Sequence, residues 1–357
     1  MTTEPRRVPR CAFVAPANLL GSVIAALPQR MLLALGTMAT WLLWPALGKR
    51  RRYAATNIAL CFPELDATAQ ARLLRANLRA TVTGLLELVR GWFASPHRLQ
   101  GLAEVEGLEH LRAARARGQG VLLFGGHFPH SELCARLLGE ALGERLAIVA
   151  RHNNDPCIER WLDGARRRAF ADVIGKKDVR GLLRTLSRGG IVAYSADQDF
   201  NYQNAFVPFF GIPAATLTAT PDLARRSNAA VLPFWFHRDA SGRYRLRVEP
   251  TWDGWPSGDP AQDAARYMAE LEAVVRQHPE QYLWVHRRFK TRPPGEPDLY
   301  RESSPRPSGC RLKRRWIQRY CVGASRTMAS IAAITRAVSA VASLEGKSSN
   351  AGDSFSV

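Results

Sequence analysis

Short apolar runs that alternate with helical patterns constrain the fold of this chain more than any other feature of its sequence. Four runs occur, at VLLFG (121–125), LAIVA (146–150), IVAYSA (191–196) and VLPFWF (231–236). Segments with helical periodicity lie between these runs, at 131–141, 155–170, 178–188 and 216–227. Strands separated by helices form parallel sheets covered by helices. We therefore predict an α/β fold with a mostly parallel central sheet flanked by helices, and YRLRVEP (244–250) is predicted as an antiparallel edge strand.

An uncharged apolar segment lies near the N-terminus and ends at a basic cluster. Residues 31–48 read MLLALGTMATWLLWPALG, and KRRR follows at 49–52. Eighteen such residues lie near the lower limit for crossing a bilayer, so a full span and a helix pressed into one leaflet both stay open. A secretory signal would carry its basic residues before the apolar stretch. We predict an N-terminal membrane-associated helix, with the basic cluster on the cytoplasmic side.

The basic excess is concentrated at the two ends of the chain. The formal net charge is +19; residues 1–52 carry eight Lys or Arg and one acid, and residues 301–357 carry ten and three. Terminal charge suits an anionic membrane surface, whereas a nucleic-acid site more often places its basic stripe on the folded body. A membrane surface is therefore a predicted partner and nucleic acid is not. A solvated charge run explains the C-terminal part equally well.

Composition divides the chain into three predicted parts. Residues 1–52 form the basic N-terminus and anchor helix, 53–302 the α/β domain, and 303–357 a basic, Ala/Ser-rich tail that is an appendage or disordered. Within the domain, Asp66 is predicted to cap a long helix over 67–92. The six cysteines are scattered without a C-x-x-C pair, which predicts reduced, unpaired thiols in a cytosolic setting.

A histidine and a glutamate follow the first apolar run. Pro129 suits the first turn of a helix, so His127 is predicted in the turn at the carboxyl edge of the sheet, where open α/β sheets bind ligands. Glu132 then falls in the first helical turn. A carboxylate on one imidazole nitrogen fixes the tautomer and raises the basicity of the other. We predict that Glu132 orients His127 as a general base for a substrate hydroxyl, with a structural histidine as the alternative.

Two other kinds of chemistry are not supported by the sequence. His127, His130 and Glu132 could be three metal ligands, but the H-E-x-x-H arrangement is absent and no further ligand cluster is evident. A G-x-S-x-G nucleophile elbow is also absent. We therefore predict no metal, no cofactor and no covalent enzyme intermediate.

Several motifs together resemble a known family. H-x4-E after an apolar strand resembles the H-x4-D/E motif of membrane glycerolipid and lipid A acyltransferases. Six further segments are similar, in order, to the bacterial lipid A late acyltransferases (the lauroyl and myristoyl transferases): NIALCFPEL (57–65), RHNN (151–154), ARRRAF (165–170), YSADQDF (194–200), VPFFG (207–211) and PEQYLWVHRRFKTRP (279–293). The likeness covers about residues 20–300. His152 and Ala196 stand where this family usually has proline, and neither change removes a reactive group.

The resemblance implies a reaction, its partners and its location. An acyltransferase domain over 53–302 would move a fatty acyl chain from acyl carrier protein to a hydroxyl of a phosphorylated, acylated glucosamine disaccharide, the lipid A precursor. The site would lie at the cytoplasmic face of the bacterial inner membrane. His127 is implied as the base and Glu132 as its partner, with Arg166 or Arg167 as a cation for the acyl donor or the oxyanion. The implied substrate-binding residues are Arg151, Asn154, Arg166, Arg167, Asp197, Arg287, Arg288 and Lys290.

A cationic set in the last motif fits the phosphates of such an acceptor. Arg287, Arg288, Lys290 and Arg292 lie within six residues, and arginine forks bind phosphate well. Ordinary surface charge is the alternative. Two other functions stay open: the same chemistry on another membrane glycolipid, such as a phosphatidylinositol mannoside, and a non-enzymatic membrane-tethered protein that uses its basic ends for binding.

Overall fold

The computed structural model describes residues 11–300, and the predicted tail at 303–357 lies outside them. The helices predicted over 67–92, 131–141, 155–170 and 178–188 are confirmed, with bounds within about one residue. In chain order the helices are α1 (Val14–Ala26), α2 (Gln29–Leu43), α3 (Gly48–Cys61), α4 (Ala67–Phe93), α5 (Pro96–Leu99), α6 (Leu108–Ala116), α7 (Ser131–Leu142), α8 (Pro156–Ala169), α9 (Val179–Ser187), α10 (Thr220–Ser227) and α11 (Pro260–Gln277), followed by a short 3-10 helix at Pro279–Gln281. The Asp66 side chain caps α4 as predicted, because it accepts a hydrogen bond from the Ala69 N–H.

The strands form one large sheet and one hairpin. They are β1 (Ala103–Glu106), β2 (Val121–Gly125), β3 (Ala147–Ala150), β4 (Asp172–Gly175), β5 (Ile191–Ser195), β6 (Asn204–Phe209), β7 (Ile212–Leu217), β8 (Ala230–Arg238) and β9 (Tyr244–Val248). The seven-stranded sheet has the order β1-β9-β8-β2-β5-β3-β4, and β6 and β7 pair separately. All neighbours in the large sheet are parallel except β8 and β9. The predicted α/β fold with a mostly parallel sheet is confirmed.

Two sequence predictions about this region are wrong. The antiparallel strand at 244–250 is not an edge, because β1 pairs with β9 on its outer side. The helix predicted over 216–227 begins only at Thr220, because the preceding residues complete β7. Alternation of side chains correctly indicated a strand at β9, but it could not show that a distant four-residue strand covers its outer side.

The three N-terminal helices pack beside α4. No single helix among residues 11–300 is long and apolar enough to cross a membrane, although α2 and α3, bent by 105° at their junction, together meet that length and composition. The exposed large apolar side chains in this region lie on α1 and α2 or just before them: Phe13, Leu19, Leu20, Val23, Met31, Met38, Trp41 and Leu42. The membrane-associated helix therefore stays a prediction, as do the domain boundaries.

A disulfide corrects the prediction of unpaired thiols. Cys11 and Cys157 are bonded, with Cα atoms 5.4 Å apart and a sequence separation of 146. Cys61 and Cys134 are free and buried. The sequence carried no signal for the pair because only the packing of the N-terminal segment beside α8 brings Cys11 to the first turn of that helix.

Candidate active site

The candidate base lies in a turn at the carboxyl edge of two neighbouring central strands. β2 and β5 pair in parallel, with Gly125 opposite Ser195. His127 and Asp197 each follow this pair by two residues, so their side chains meet. His127 Nδ1 lies 2.5 Å from Asp197 Oδ1, and the His127 backbone N–H donates to Asp197 Oδ2 at 3.0 Å. The His127 side chain is 25% exposed, whereas the Asp197 side chain is fully buried.

The charge state of Asp197 defines the tautomer of His127. A third hydrogen bond reaches the carboxylate from the Tyr282 hydroxyl, at 2.8 Å. Burial raises the pKa of Asp197, but the His127 imidazole and the Tyr282 hydroxyl outweigh it and lower the pKa to about 2. The group is therefore ionised at neutral pH and can only accept. His127 Nδ1 carries the shared proton, so Nε2 is the basic ring nitrogen.

Glu132 does not hold His127, which corrects the predicted pair. The Glu132 carboxylate accepts from Trp92 Nε1 at 2.6 Å and from Arg166, through Nη2 at 2.7 Å and through Nε at 3.1 and 3.2 Å. Helix α7 starts at Ser131, so the first turn aims Glu132 towards α4 and α8 rather than back to the turn. Glu132 thus joins three helices behind the site, and the carboxylate that contacts His127 is that of Asp197.

The structure distinguishes Arg166 from Arg167, which the sequence could not do. Arg166 is buried and bound to Glu132. Arg167 is exposed on another side of α8 and pairs with Asp163 and Asp172. Successive residues of a helix point about 100° apart, so Arg167 does not share the Glu132 contact of Arg166. The predicted substrate contact of Arg167 stays a prediction.

Two buried asparagines that the sequence interpretation missed hold the segment carrying Tyr282. The Asn77 amide of α4 donates to the carbonyls of Glu280 and Tyr282, at 2.9 and 2.7 Å. The Asn57 amide of α3 donates to two carbonyls further along, at 2.7 and 2.6 Å. The Leu283 N–H also donates to the His127 carbonyl at 3.1 Å. Asn57 opens the first motif of the resemblance, and that was the only signal for it.

The cationic set of the last motif is not one phosphate cluster. Arg288 is 2% exposed, and its guanidinium donates to the Ala215 carbonyl and the Thr216 hydroxyl, at 2.9 and 2.7 Å. Arg288 therefore fastens β7 and also lines a small cavity beside His127. Its predicted substrate contact stays a prediction. Arg287 pairs with Asp298 at 3.1 Å. Lys290 is exposed on the same segment, and its substrate role stays a prediction.

Other side chains lie at the same edge. Arg151 and Asn154 follow β3, with Arg151 Nη2 at 3.5 Å from Asn154 Oδ1, and their substrate contacts stay predictions. Gln198 Nε2 lies 3.2 Å from His286 Nε2, and both residues line a small cavity beside His127 that encloses about 10 Å³. A volume of this size suits a single water molecule. Both side chains lie inside recognised motifs but were not selected from sequence.

His130 is a structural residue. Its side chain is 2% exposed and packs against the rings of Phe128, Phe236 and Tyr244. Burial, reinforced by nearby cations, holds the pKa of His130 well below its usual value. Within residues 11–300, no group of three or more His, Cys, Asp or Glu side chains could hold a metal ion.

Comparison with known proteins decides the family. The model of the bacterial lipid A biosynthesis acyltransferases matches residues 3–291. The chain belongs to this family. It is 36% identical over 279 residues to the lipid A biosynthesis palmitoleoyltransferase of Escherichia coli (strain K12), covering 77% of this chain and 90% of that protein. It is 35% identical over 282 residues to the lauroyltransferase of the same organism, covering 78% and 91%.

A more distant relative carries a similar name. The lipid A biosynthesis myristoyltransferase of Escherichia coli (strain K12) is 27% identical over 259 residues, which cover 71% of this chain and 80% of that protein. The family match contains His127, Asp197 and Tyr282. The protein is thus an acyltransferase, as the motifs predicted, and the hypothesis of a non-enzymatic tether is excluded.

Proposed function

We propose that this protein is a lipid A late acyltransferase that transfers a fatty acyl chain from acyl carrier protein to a hydroxyl of a lipid A precursor. The acceptor is a phosphorylated, acylated glucosamine disaccharide, and the reaction takes place at the cytoplasmic face of the bacterial inner membrane. One observation carries the proposal: an imidazole held by a buried carboxylate at the sheet edge, in a chain whose relatives are named lipid A acyltransferases.

The proposed reaction is a direct transfer with His127 as general base. Nε2 removes the proton of the acceptor hydroxyl while its oxygen attacks the thioester carbonyl. The ionised Asp197 stabilises the imidazolium that forms. When the tetrahedral oxyanion collapses, the carbon–sulfur bond breaks and the imidazolium returns its proton to the leaving thiolate of the carrier. The products are the acylated sugar and the free carrier thiol, with no covalent enzyme intermediate.

The elements behind the turn have a positioning role in this proposal. The Glu132–Arg166 pair ties α7 to α8, so the turn that carries His127 is fixed at both ends. The N-terminus of α7 also brings partial positive charge to the sheet edge, which suits a developing oxyanion. Arg166 therefore acts through Glu132 and α7 in this scheme. Arg151, Asn154 and Lys290 are kept as proposed substrate contacts.

A membrane surface is the proposed location because the acceptor is a lipid. On α1 and α2, Leu19 is 68% and Trp41 78% exposed, and the basic run at 49–52 follows directly. A helix pair with an apolar face and adjacent cations binds the headgroup region of one leaflet. We expect the double variant Leu19→Glu/Trp41→Glu to lose sedimentation with anionic vesicles. The control Tyr202→Glu changes an exposed aromatic side chain outside these helices and should still sediment.

The transfer itself is tested with purified full-length protein. Loaded acyl carrier protein and a tetraacylated lipid A precursor should give a product one acyl chain heavier, detected by mass spectrometry. His127→Ala should lower the rate by orders of magnitude, whereas His97→Ala, at an exposed histidine, should not. Near-wild-type transfer by His127→Ala would contradict the assigned base. If only a mannosylated phosphoinositide accepted the chain, the acceptor assignment would be wrong.

A further inference from the structure

A continuous row of unpaired cations covers the outer face of α9. Arg180, Arg184 and Arg188 recur every four residues, so they form one stripe along the helix. Lys176 and Lys177 extend this stripe to the carboxyl end of β4, and all five side chains are exposed. We call these five residues the α9 basic face.

These cations have no acidic partners within the described part of the chain. None of the five forms an ion pair there, unlike Arg167 on α8, Arg225 on α10 and Arg276 on α11. The acids nearby are engaged, since Asp178 caps α9 at the Gly181 N–H and Asp172 pairs with Arg167. Partial burial lowers the pKa of Lys176, and the neighbouring cations Arg151 and Lys177 lower it further. Asp172 and Asp178 line a cavity with Arg184 and Arg188 without forming ion pairs with them, so the five cations leave the face net positive. An exposed row of net positive charge fits an acidic partner.

The strand order places the α9 basic face on the side of the sheet away from the apolar helices. The connections through α7 and α8 advance from β2 to β3 and then to β4, whereas α9 returns from β4 to β5. Because such crossovers are right-handed, α9 covers the opposite face from α7 and α8. α7 and α8 pack on α4, which also carries α1 and α2. A membrane bound by α1 and α2 would therefore leave α9 facing the aqueous side.

The α9 basic face also begins at the edge of the sheet that holds the candidate base. Lys176 follows β4, and β3 and β5 separate β4 from β2, after which His127 lies. Three strand spacings amount to about 14 Å. A thioester on an extended prosthetic arm can cross such a distance while its protein stays outside the site. The half-exposed Val179 within the row adds an apolar contact.

We propose that the α9 basic face is the docking surface for the acidic acyl carrier protein. This assignment rests on the proposed function, which supplies the carrier as donor. An acidic helix lying along the stripe would neutralise the arginines, and the arm would enter along the carboxyl edge past β3 and β5. Lipid headgroups are the competing source of negative charge, and the orientation of α9 relative to α1 and α2 disfavours them.

The test compares two acyl donors in full-length protein. We expect Arg180→Ala/Arg184→Ala/Arg188→Ala to raise the KM for acyl carrier protein at least ~10-fold and to leave kcat unchanged, because surface charge governs encounter rather than chemistry. The KM for acyl coenzyme A, which lacks the carrier protein, should not change. Added salt should raise the wild-type KM for the carrier but not that of the variant.

A matched control removes the same charge from another helix. Arg72, Arg75 and Arg79 are exposed on α4 and also form no ion pair with residues 11–300. Their triple alanine variant should keep the wild-type KM for the carrier. Thermal unfolding of both triple variants should match wild type, which would exclude loss of the fold.

Three outcomes overturn the assignment. An unchanged carrier KM in the α9 variant would show that the face is not used, and an equal rise with both donors would place the effect in the chemistry. Loss of vesicle binding with an unchanged carrier KM would identify a lipid surface. If the wild-type protein used only acyl coenzyme A, acyl carrier protein would not be its donor and the proposed function would be wrong as well. This result differs from an unchanged carrier KM in the α9 variant, which contradicts the docking surface alone.

Discussion

Removing one hydroxyl group tests how the carboxylate behind His127 works. The Tyr282 hydroxyl donates to Asp197 Oδ2 at 2.8 Å, and within the described residues the carboxylate has no other side-chain partner besides His127. Tyr282→Phe deletes this bond and keeps the ring, which packs against Phe128 and Trp284. A hydrogen bond to a charged group contributes about 1.5–3 kcal/mol. If all of it acts in the transition state, kcat falls ~10–150-fold.

The physical reason is orientation as well as charge. Without Tyr282, Asp197 is held only by the His127 ring and backbone N–H, so the carboxylate can turn and meet Nδ1 less well. Because the hydroxyl helps to lower the pKa of Asp197, its loss raises that pKa. The KM for either substrate should not change, since Tyr282 acts through Asp197. The low-field proton resonance of the shared Nδ1–H should move or broaden in the variant.

A matched tyrosine serves as the control for stability. Tyr244 is also fully buried, and its hydroxyl donates to the buried carboxylate of Glu87 at 2.6 Å, outside the His127–Asp197 contact. Tyr244→Phe should lower the free energy of unfolding by a similar ~2 kcal/mol and leave kcat and the proton resonance unchanged. If Tyr282→Phe kept kcat within about twofold of wild type while losing the same stability, the positioning role would be refuted.

Three further predictions concern the ionised and covalent pairs of the molecule. Asp197→Asn should lower kcat on the order of 10³–10⁴-fold by removing the carboxylate that fixes the tautomer. The pKa of Asp197 is about 2 in the folded protein, below its unfolded value, so Asp197 adds about 2 kcal/mol to the free energy of unfolding above pH ~4. This contribution is lost as the pH falls towards ~2. The free energy of unfolding by urea should therefore depend less on pH between ~4 and ~2 in the variant than in the wild type. Glu132→Gln should cost about 3–5 kcal/mol of stability by removing the carboxylate charge that the buried Arg166 binds, whereas Arg167→Ala should change the free energy of unfolding by under about 1 kcal/mol; equal effects would contradict the assigned geometry. Cys11→Ser should lower the unfolding free energy by about 2–4 kcal/mol, and mass spectrometry after alkylation without reductant should find the wild-type Cys11 unmodified; full labelling would refute the disulfide.

Local patterns in the sequence predicted the α/β fold and the position of His127, but not the carboxylate that contacts His127. β2 is buried along its whole length and reads as a continuous apolar run, so its position could be predicted from side chains alone. His127 followed from its place after that run. The partner of His127 could not be predicted in the same way, because Glu132 lies five residues away in sequence and Asp197 seventy. Sequence order suggests Glu132, whereas the pairing of β2 with β5 selects Asp197.

The strand order explains why the candidate site depends on groups from both ends of the domain. Two consecutive strands of the chain, β2 and β3, are separated in the sheet by β5, so β5 alone places a carboxylate beside His127. That carboxylate also needs Tyr282, which belongs to a segment without strand or long helix. Asn77 of α4 positions this segment, because its amide donates a hydrogen bond to the Tyr282 carbonyl. Since α4 also carries α1 and α2, the helices proposed to contact lipid are joined to the candidate base through one buried amide, one tyrosine and one carboxylate.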